Sequence, residues 1–286
     1  MTAVLRSAES AEMELTNEEL VAECKARANV YRLLAGVFLE EPTAAYLNAL
    51  RSDEGMAMLQ EMGAAFGEDF TAMPLPQLQD ALAIEYAALF VVSGGCPAIE
   101  SVRLHGRLQQ QPYFEVREIY QKAGFKVVGA RFAIYDDQLG AQLSFVAELL
   151  ERAAAALGSG DRVGYERLTK EIKRFWALHP GKWVRGYATL LERAAEHSFF
   201  REMAKLLGGF AQWELDLLGV RVEDLDGGKL KVPKSEIEYE YDPAEPVCNA
   251  CDKGRESGNK ADEEFSNIDI SRIQDRLAGQ QTERKG

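Results

Sequence analysis

The chain has 286 residues, 47% hydrophobic and 28% charged, with a net charge of −13. An acidic surface of this kind repels nucleic-acid phosphates and anionic lipid heads, which argues against a nucleic-acid binder and leaves plain solubility or a basic, arginine-rich partner. There is no run of ~18 apolar residues to cross a membrane and no basic-then-apolar secretory leader, and four cysteines (Cys24, Cys96, Cys248, Cys251) are too few for a disulfide scaffold, so a cytoplasmic chain is expected.

Residues 1–15 are polar and read as a flexible amino terminus. Thr16-Asn17-Glu18-Glu19 has the spacing of a capping box, and Leu20, Cys24, Ala28, Tyr31 and Phe38 then recur at helical steps. Pro42 interrupts, Thr43–Leu50 predicts a short second helix, and 54–67 predicts a third with Met58, Met62 and Phe66 on one side. Pro74 and Pro76 start a fourth helix carrying Leu78, Leu82, Ile84, Tyr86, Leu89 and Phe90. It stops at the breaker cluster Ser93-Gly94-Gly95-Cys96-Pro97. A helix is expected over 112–123, a short extended segment over 126–134, and the longest helix over 136–157 with Leu139, Leu143, Val146 and Leu150 in register. Asp161 is a candidate cap for the helix bearing Leu168, Ile172 and Phe175, and two more helices follow Pro180-Gly181, over 182–195 and 198–218.

Nothing alternates as a strand does, so the expected fold is a single all-α bundle over 16–219. From Val220 to Gly286 large apolar residues thin out, and 11 Lys or Arg face 16 Asp or Glu. This 220–286 tail reads as acidic and mostly disordered. One stretch, Ser266 to Ala278, has Ile270, Ile273 and Leu277 on one helical face; a helix so short needs something to dock on.

Signatures of catalysis are missing: there is no phosphate-binding glycine loop, nucleophile elbow or paired-histidine zinc motif. Cys248-Asn249-Ala250-Cys251 has the spacing of half a zinc site. Its readings are a pair of free thiols, a half-site completed by a partner, or a redox pair. Asp136-Asp137 sits where a helix dipole favours acidic residues, which is sufficient to explain it.

The middle of the chain carries a more specific order of motifs. Glu85-Tyr86-Ala87-Ala88-Leu89-Phe90 ends one helix, Pro97 and Ser101 close the following loop, Pro112-Tyr113 opens a helix, and Asp137-Gln138 precedes Gln142-Leu143-Ser144-Phe145. Further on, Phe175-Trp176 is followed by His179 and Trp183. In these features residues 20–218 resemble the TorD/DmsD family of molybdoenzyme maturation chaperones, the nitrate reductase delta-subunit-like group. Gln138 and Gln142 stand where that family has His and Glu, and Pro180 where it has Leu.

The resemblance implies an all-α chaperone, monomeric or a domain-swapped homodimer, with no cofactor of its own. Its partner would be the precursor of a molybdopterin oxidoreductase catalytic subunit, bound through a twin-arginine signal or another N-terminal region. A receptor for such a peptide needs acceptors for guanidinium groups and an apolar groove. The implied site residues are Asp136, Asp137, Gln138, Gln142, Glu85, Tyr86, Phe90, Pro97, Ser101, Tyr113, His179 and Trp183, with Glu100 and Leu139 as further candidates. Tyr86, Phe90 and Leu139 are equally at core spacing, His179 and Trp183 suit a structural stack, and Ser101 suits a cap. Two other classes remain: a helical adaptor that binds a partner through its tail, and an enzyme with a metal at Cys248 and Cys251.

Overall fold

A computed structural model describes residues 15–92, 94–127 and 134–228. These all belong to the first of two units of the chain, Met1–Lys234; the second, Ser235–Gly286, lies outside them. The Cys248/Cys251 pair and the helix expected over 266–278 therefore also lie outside the described residues, as does most of the expected extended segment at 126–134.

Eleven α-helices occur among the described residues: α1 Asn17–Phe38, α2 Ala44–Leu50, α3 Asp53–Glu61, α4 Glu68–Thr71, α5 Leu75–Tyr86, α6 Glu100–His105, α7 Gln111–Ala123, α8 Leu139–Gly158, α9 Arg162–Leu178, α10 Val184–Ala194 and α11 Ser198–Leu217. The one sheet-like feature described is an isolated antiparallel bridge between Ile99 and Gln138. The all-α expectation holds.

The caps explain why the long helices begin where they do. Thr16 accepts the Glu19 N–H at 3.3 Å while the Glu19 carboxylate accepts the Thr16 N–H at 2.8 Å, satisfying two donors reciprocally. Asp161 caps α9 through the Gly164 N–H at 2.8 Å. α8 is apolar around most of its circumference and is buried accordingly, packed along α1 on one side and α9 on another. α10 packs on α11. The core between these helices includes Tyr31, Phe145, Phe175, Trp176, Trp183, Tyr187, Phe199 and Phe200, all buried. The Trp176 indole donates to the Tyr31 hydroxyl at 2.6 Å, so both polar tips are paired. Buried Arg27 on α1 is paired in two places with Glu214 on α11.

Several expectations need correction. The third helix ends at Glu61, not 67, and Leu59 is its buried residue while Met58 is exposed. The fourth does not run regularly to Phe90: after Tyr86 the backbone widens into a π-helical turn, Ala87–Val91, closed by the Val92 N–H on the Ala87 carbonyl at 3.0 Å. The helix expected to be the longest starts at Leu139, not at 136, and its 20 residues fall short of the 22 of α1. The backbones of Asp137 and Leu139 are engaged with the loop before α6: the Glu100 N–H donates to the Asp137 carbonyl at 3.0 Å and the Leu139 N–H to the Ala98 carbonyl at 2.8 Å. α6 itself falls within what reads in the sequence as loop.

The packed body also extends beyond Gly219. Val220 to Gly228 runs along α10 as a strap. The Leu225 N–H donates to the Lys182 carbonyl at 2.6 Å, Arg185 donates to the Val222 carbonyl at 2.7 Å, and Arg193 to the Gly228 carbonyl at 2.7 Å. The Gly186 N–H donates to Asp224 at 2.9 Å.

Candidate functional site

The expected site residues separate into a buried polar cluster, an aromatic surface patch and an open groove.

The cluster joins three elements. Glu100 at the start of α6, Gln142 on α8 and His179 at the end of α9 are all at most 1% exposed. Gln142 Nε2 donates to Glu100 at 2.5 Å, and the other Glu100 oxygen lies 3.2 Å from His179 Nδ1. Beside them buried Asp137 accepts the Ser101 N–H at 2.8 Å, and the Ser101 hydroxyl accepts the Gln110 N–H at 3.1 Å. Burial pushes the Asp137 carboxyl above its ordinary value; the Ser101 hydrogen bonds and His179 oppose the shift. Asp137 Oδ1, Gln142 Oε1, His179 Nε2 and the Tyr120 hydroxyl have no protein hydrogen-bond partner among the described residues. Trp183, also buried, packs on Tyr187 at 5.3 Å. These side chains pin the loop before α6 to α8 and α9, and they are too enclosed to meet a macromolecule directly.

Two of the three departures from the resembled pattern, Gln138 and Gln142, have physical readings. Gln138 caps α8, accepting the Ala141 N–H at 3.1 Å, and its amide nitrogen donates to the Phe38 carbonyl at the end of α1. An amide does both tasks at once without charge. At 142, a carboxylate would face Glu100; the amide supplies a donor there instead.

The surface patch is formed by Tyr113, Phe114, Arg117, Tyr135 and Asp136. Tyr113 stands edge-on to Tyr135 at 6.2 Å, the Arg117 guanidinium lies 6.0 Å from the Tyr113 ring centroid, and Arg117 Nε is 4.0 Å from Asp136 Oδ2. Partial burial raises the Asp136 carboxyl, with Arg117 opposing.

The groove has a volume of about 700 Å3 and is open on one side. Its walls are the end of α5 with the π turn (Ile84, Glu85, Ala88), the loop at Gly94–Cys96, and the turn into α11 (Glu196, His197). Ile84 is 73% exposed, and Val91 and Val92 just beyond it are exposed too. Gly95 is required by this wall: a Cβ there would lie 2.6 Å from the carbonyl oxygens of Ala88 and Leu89. Of the expected residues, Glu85 alone lines the groove. Its carboxylate accepts the N–H groups of Glu196 and His197 at 2.8 and 3.0 Å, capping the approach to α11. Tyr86 and Phe90 point the other way, packing on each other at 4.9 Å, with Phe90 5.9 Å from Phe38 and 5.6 Å from Phe200. The Tyr86 hydroxyl donates to the Phe38 carbonyl at 3.2 Å, and burial raises it to about 12. Leu139 is fully buried, and Pro97 is half-buried beside the groove loop. Sequence reasoning missed Ile84, Ala88 and Glu196; Ile84 occupies a core-like spacing, and its outward direction follows from where α5 packs.

Among the described residues no cluster of three or more His, Cys, Asp or Glu is placed to hold a metal ion, and Cys24 and Cys96 are free and buried. No helix among these residues is long and apolar enough to cross a membrane.

The helical body thus presents an open, mainly apolar groove at its surface and encloses a buried polar cluster. The nitrate reductase delta subunit family matches residues 40–189, and the chain belongs to that family. The match spans the cluster, the surface patch and the α5 and Gly94–Cys96 walls of the groove, while the wall at Glu196 and His197 lies beyond it; the family's name accords with the maturation-chaperone group that the motifs resemble. A crystal structure of a protein assigned as a redox enzyme maturation protein, from Archaeoglobus fulgidus, superposes at TM-score 0.37 with 15% identity, covering 72% of this chain and 99% of that one. That likeness is loose, and no conclusion rests on it. No curated protein matches the chain.

Proposed function

We propose that this chain is a cytoplasmic, non-catalytic chaperone that holds the N-terminal region of a molybdopterin-oxidoreductase precursor until its cofactor is inserted. The observation that carries the reading is the groove, in a chain of the delta-subunit family: an apolar channel with Ile84 unpaired at its edge and the acidic Glu85 and Glu196 at its rim. An amphipathic or signal-type segment places apolar side chains in such a channel and arginines at such a rim. Glu196 is exposed, whereas both Glu85 oxygens already accept backbone N–H groups, so Glu196 is the better guanidinium acceptor. Asp136 is the accessible carboxylate of the second patch; Asp137, Gln142, Ser101 and His179 act from below by fixing the loop.

The test is affinity capture of the tagged full chain from anaerobically grown source cells, with the bound proteins identified by mass spectrometry. Recovery of a molybdopterin oxidoreductase subunit with its N-terminus uncleaved is expected. Its absence at comparable expression, or turnover of a substrate by the chain alone, would refute the assignment.

A further inference from the structure

The strap at Val220–Gly228 lies outside the family match at 40–189, yet it is wired to the groove. Asp226 holds Arg103 of α6 in a two-pronged pair, Nη2 to Oδ1 at 2.6 Å and Nε to Oδ2 at 3.2 Å, with both side chains at most 2% exposed. The same guanidinium lies over the Tyr187 ring of α10, 5.5 Å from its centroid. The Tyr187 hydroxyl donates to the Cys96 carbonyl at 3.0 Å, and Cys96 is in the groove wall. A continuous run of contacts therefore leads from the strap through Arg103 and Tyr187 to the groove loop. From its other side, the Cys96 N–H donates to the Leu89 carbonyl at 2.6 Å, so the loop is held between the π turn and this network.

The strap's seat on α10 depends on a close approach. A Cβ at Gly186 would lie 2.6 Å from Asp224 Oδ1 and 3.0 Å from the backbone nitrogens of Gly227 and Gly228. Gly186 is the third residue of α10, in its first turn, and the lack of a side chain there is accounted for by the close approach of the strap. Asp224 adds a second tie, accepting both the Gly186 and the Asp226 N–H, at 2.9 and 3.1 Å.

We propose that Val220–Gly228 is a strap that sets the position of the Gly94–Cys96 wall of the client groove, with Arg103 and Asp226 as its positioning residues. The inference rests on the client-groove reading for its purpose, while the mechanical link is testable without a client. Neither Arg103 nor Asp226 lines the groove; they act through Tyr187 and the loop.

Two variants of the full chain test this. Gly186→Ala lifts the strap while favouring the helix beneath it. Arg103→Met/Asp226→Leu removes the ionic link but refills the space with apolar groups, avoiding a buried lone charge. The readout is iodoacetamide alkylation under native conditions, mapped by peptide mass analysis at Cys96 and at Cys24, which is 3% exposed in the core and serves as the internal control. Local release of the wall is expected to speed Cys96 labelling by about tenfold or more with Cys24 unchanged. In parallel, binding of a fluorescein-labelled peptide with two arginines before a Leu/Ala/Phe run should weaken by about fivefold at an unchanged helical circular-dichroism signal. Cys96 remaining as protected as in the parent chain in both variants, or Cys24 and Cys96 accelerating together, would overturn the proposal. Failure of the parent chain to bind the peptide would count against the client reading alone, since the Cys96/Cys24 ratio still decides the strap.

Discussion

Replacing Ile84 by Asn separates the groove's binding role from its structural one. Ile84 is 73% exposed on α5, so its side chain does little for the fold, and Ile and Asn have similar helix propensities; a stability change within about 0.5 kcal/mol is expected. Full burial of an isoleucine side chain stabilises by roughly 1.5–3 kcal/mol, and a client that covers the exposed three-quarters recovers about 1–2 kcal/mol of it. Loss of that contact raises Kd by roughly 5–30-fold. Fluorescence anisotropy of a labelled client-type peptide, with thermal unfolding run alongside, measures both quantities. A Kd within about twofold of the parent value at the same thermal midpoint would show that the client does not lie over Ile84, and the groove assignment would fall. Tyr86 and Phe90 are poor probes for this question, since they pack into the Phe38–Phe200 aromatic core and their loss perturbs the fold first.

Three further outcomes follow from the geometry. Glu214→Ala leaves the Arg27 guanidinium buried without this carboxylate and should lower the urea-unfolding free energy by about 3–5 kcal/mol. Glu85→Ala removes the acceptor for two backbone N–H groups before α11 and should cost about 1–2 kcal/mol in the same assay, with Glu85→Gln recovering part of it. Asp137 has a carboxyl value raised by burial, so the folded state binds a proton more readily than the unfolded chain between the ordinary aspartate value and the raised one. Its contribution therefore falls as pH rises through that window, and Asp137→Asn should flatten this segment of the stability–pH curve, with the variant gaining relative to the parent at its upper end. An unchanged slope in denaturation midpoints measured across pH 4–7 would remove this role from Asp137.

What the sequence made legible was local. Thr16 with Glu19 and Asp161 with Gly164 are signals carried within four residues, and the structure has both caps. The 3.6-residue periodicity of α1, α8 and α9 is equally local, and so is the order of motifs that pointed to the family. What stayed hidden depends on partners distant in the chain. Asp137 reads as a helix-start residue until the backbone of Glu100 claims its carbonyl. Ile84 reads as core until α5 packs with its other face inward. The π turn at Ala87–Val91 has no compositional mark, since it differs from an α-helix only in which carbonyl Val92 chooses. Val220–Gly228 has the composition of the tail that follows it, and its place comes from α10, from Arg103 and from Val220 and Val222 packing on the core, all contacts with distant parts of the chain. Of the candidate site residues, Tyr86, Ser101, Asp137, Gln142, His179 and Trp183 are buried and Glu85 lines the groove, a division set by packing between distant elements that no local motif carries.

The strap also fixes where this protein can be shortened. The last long helix ends at Leu217, and Gly219 invites a cut there. A chain ended at Gly219 loses the carboxylate of Asp226 that faces Arg103, together with the acceptors for Arg185, Arg193 and Gly186 on α10. The shortest version that keeps these contacts ends after Gly228, nine residues later. Chains ended at Gly219 and at Gly228 would behave as different proteins although both carry every residue of the family match.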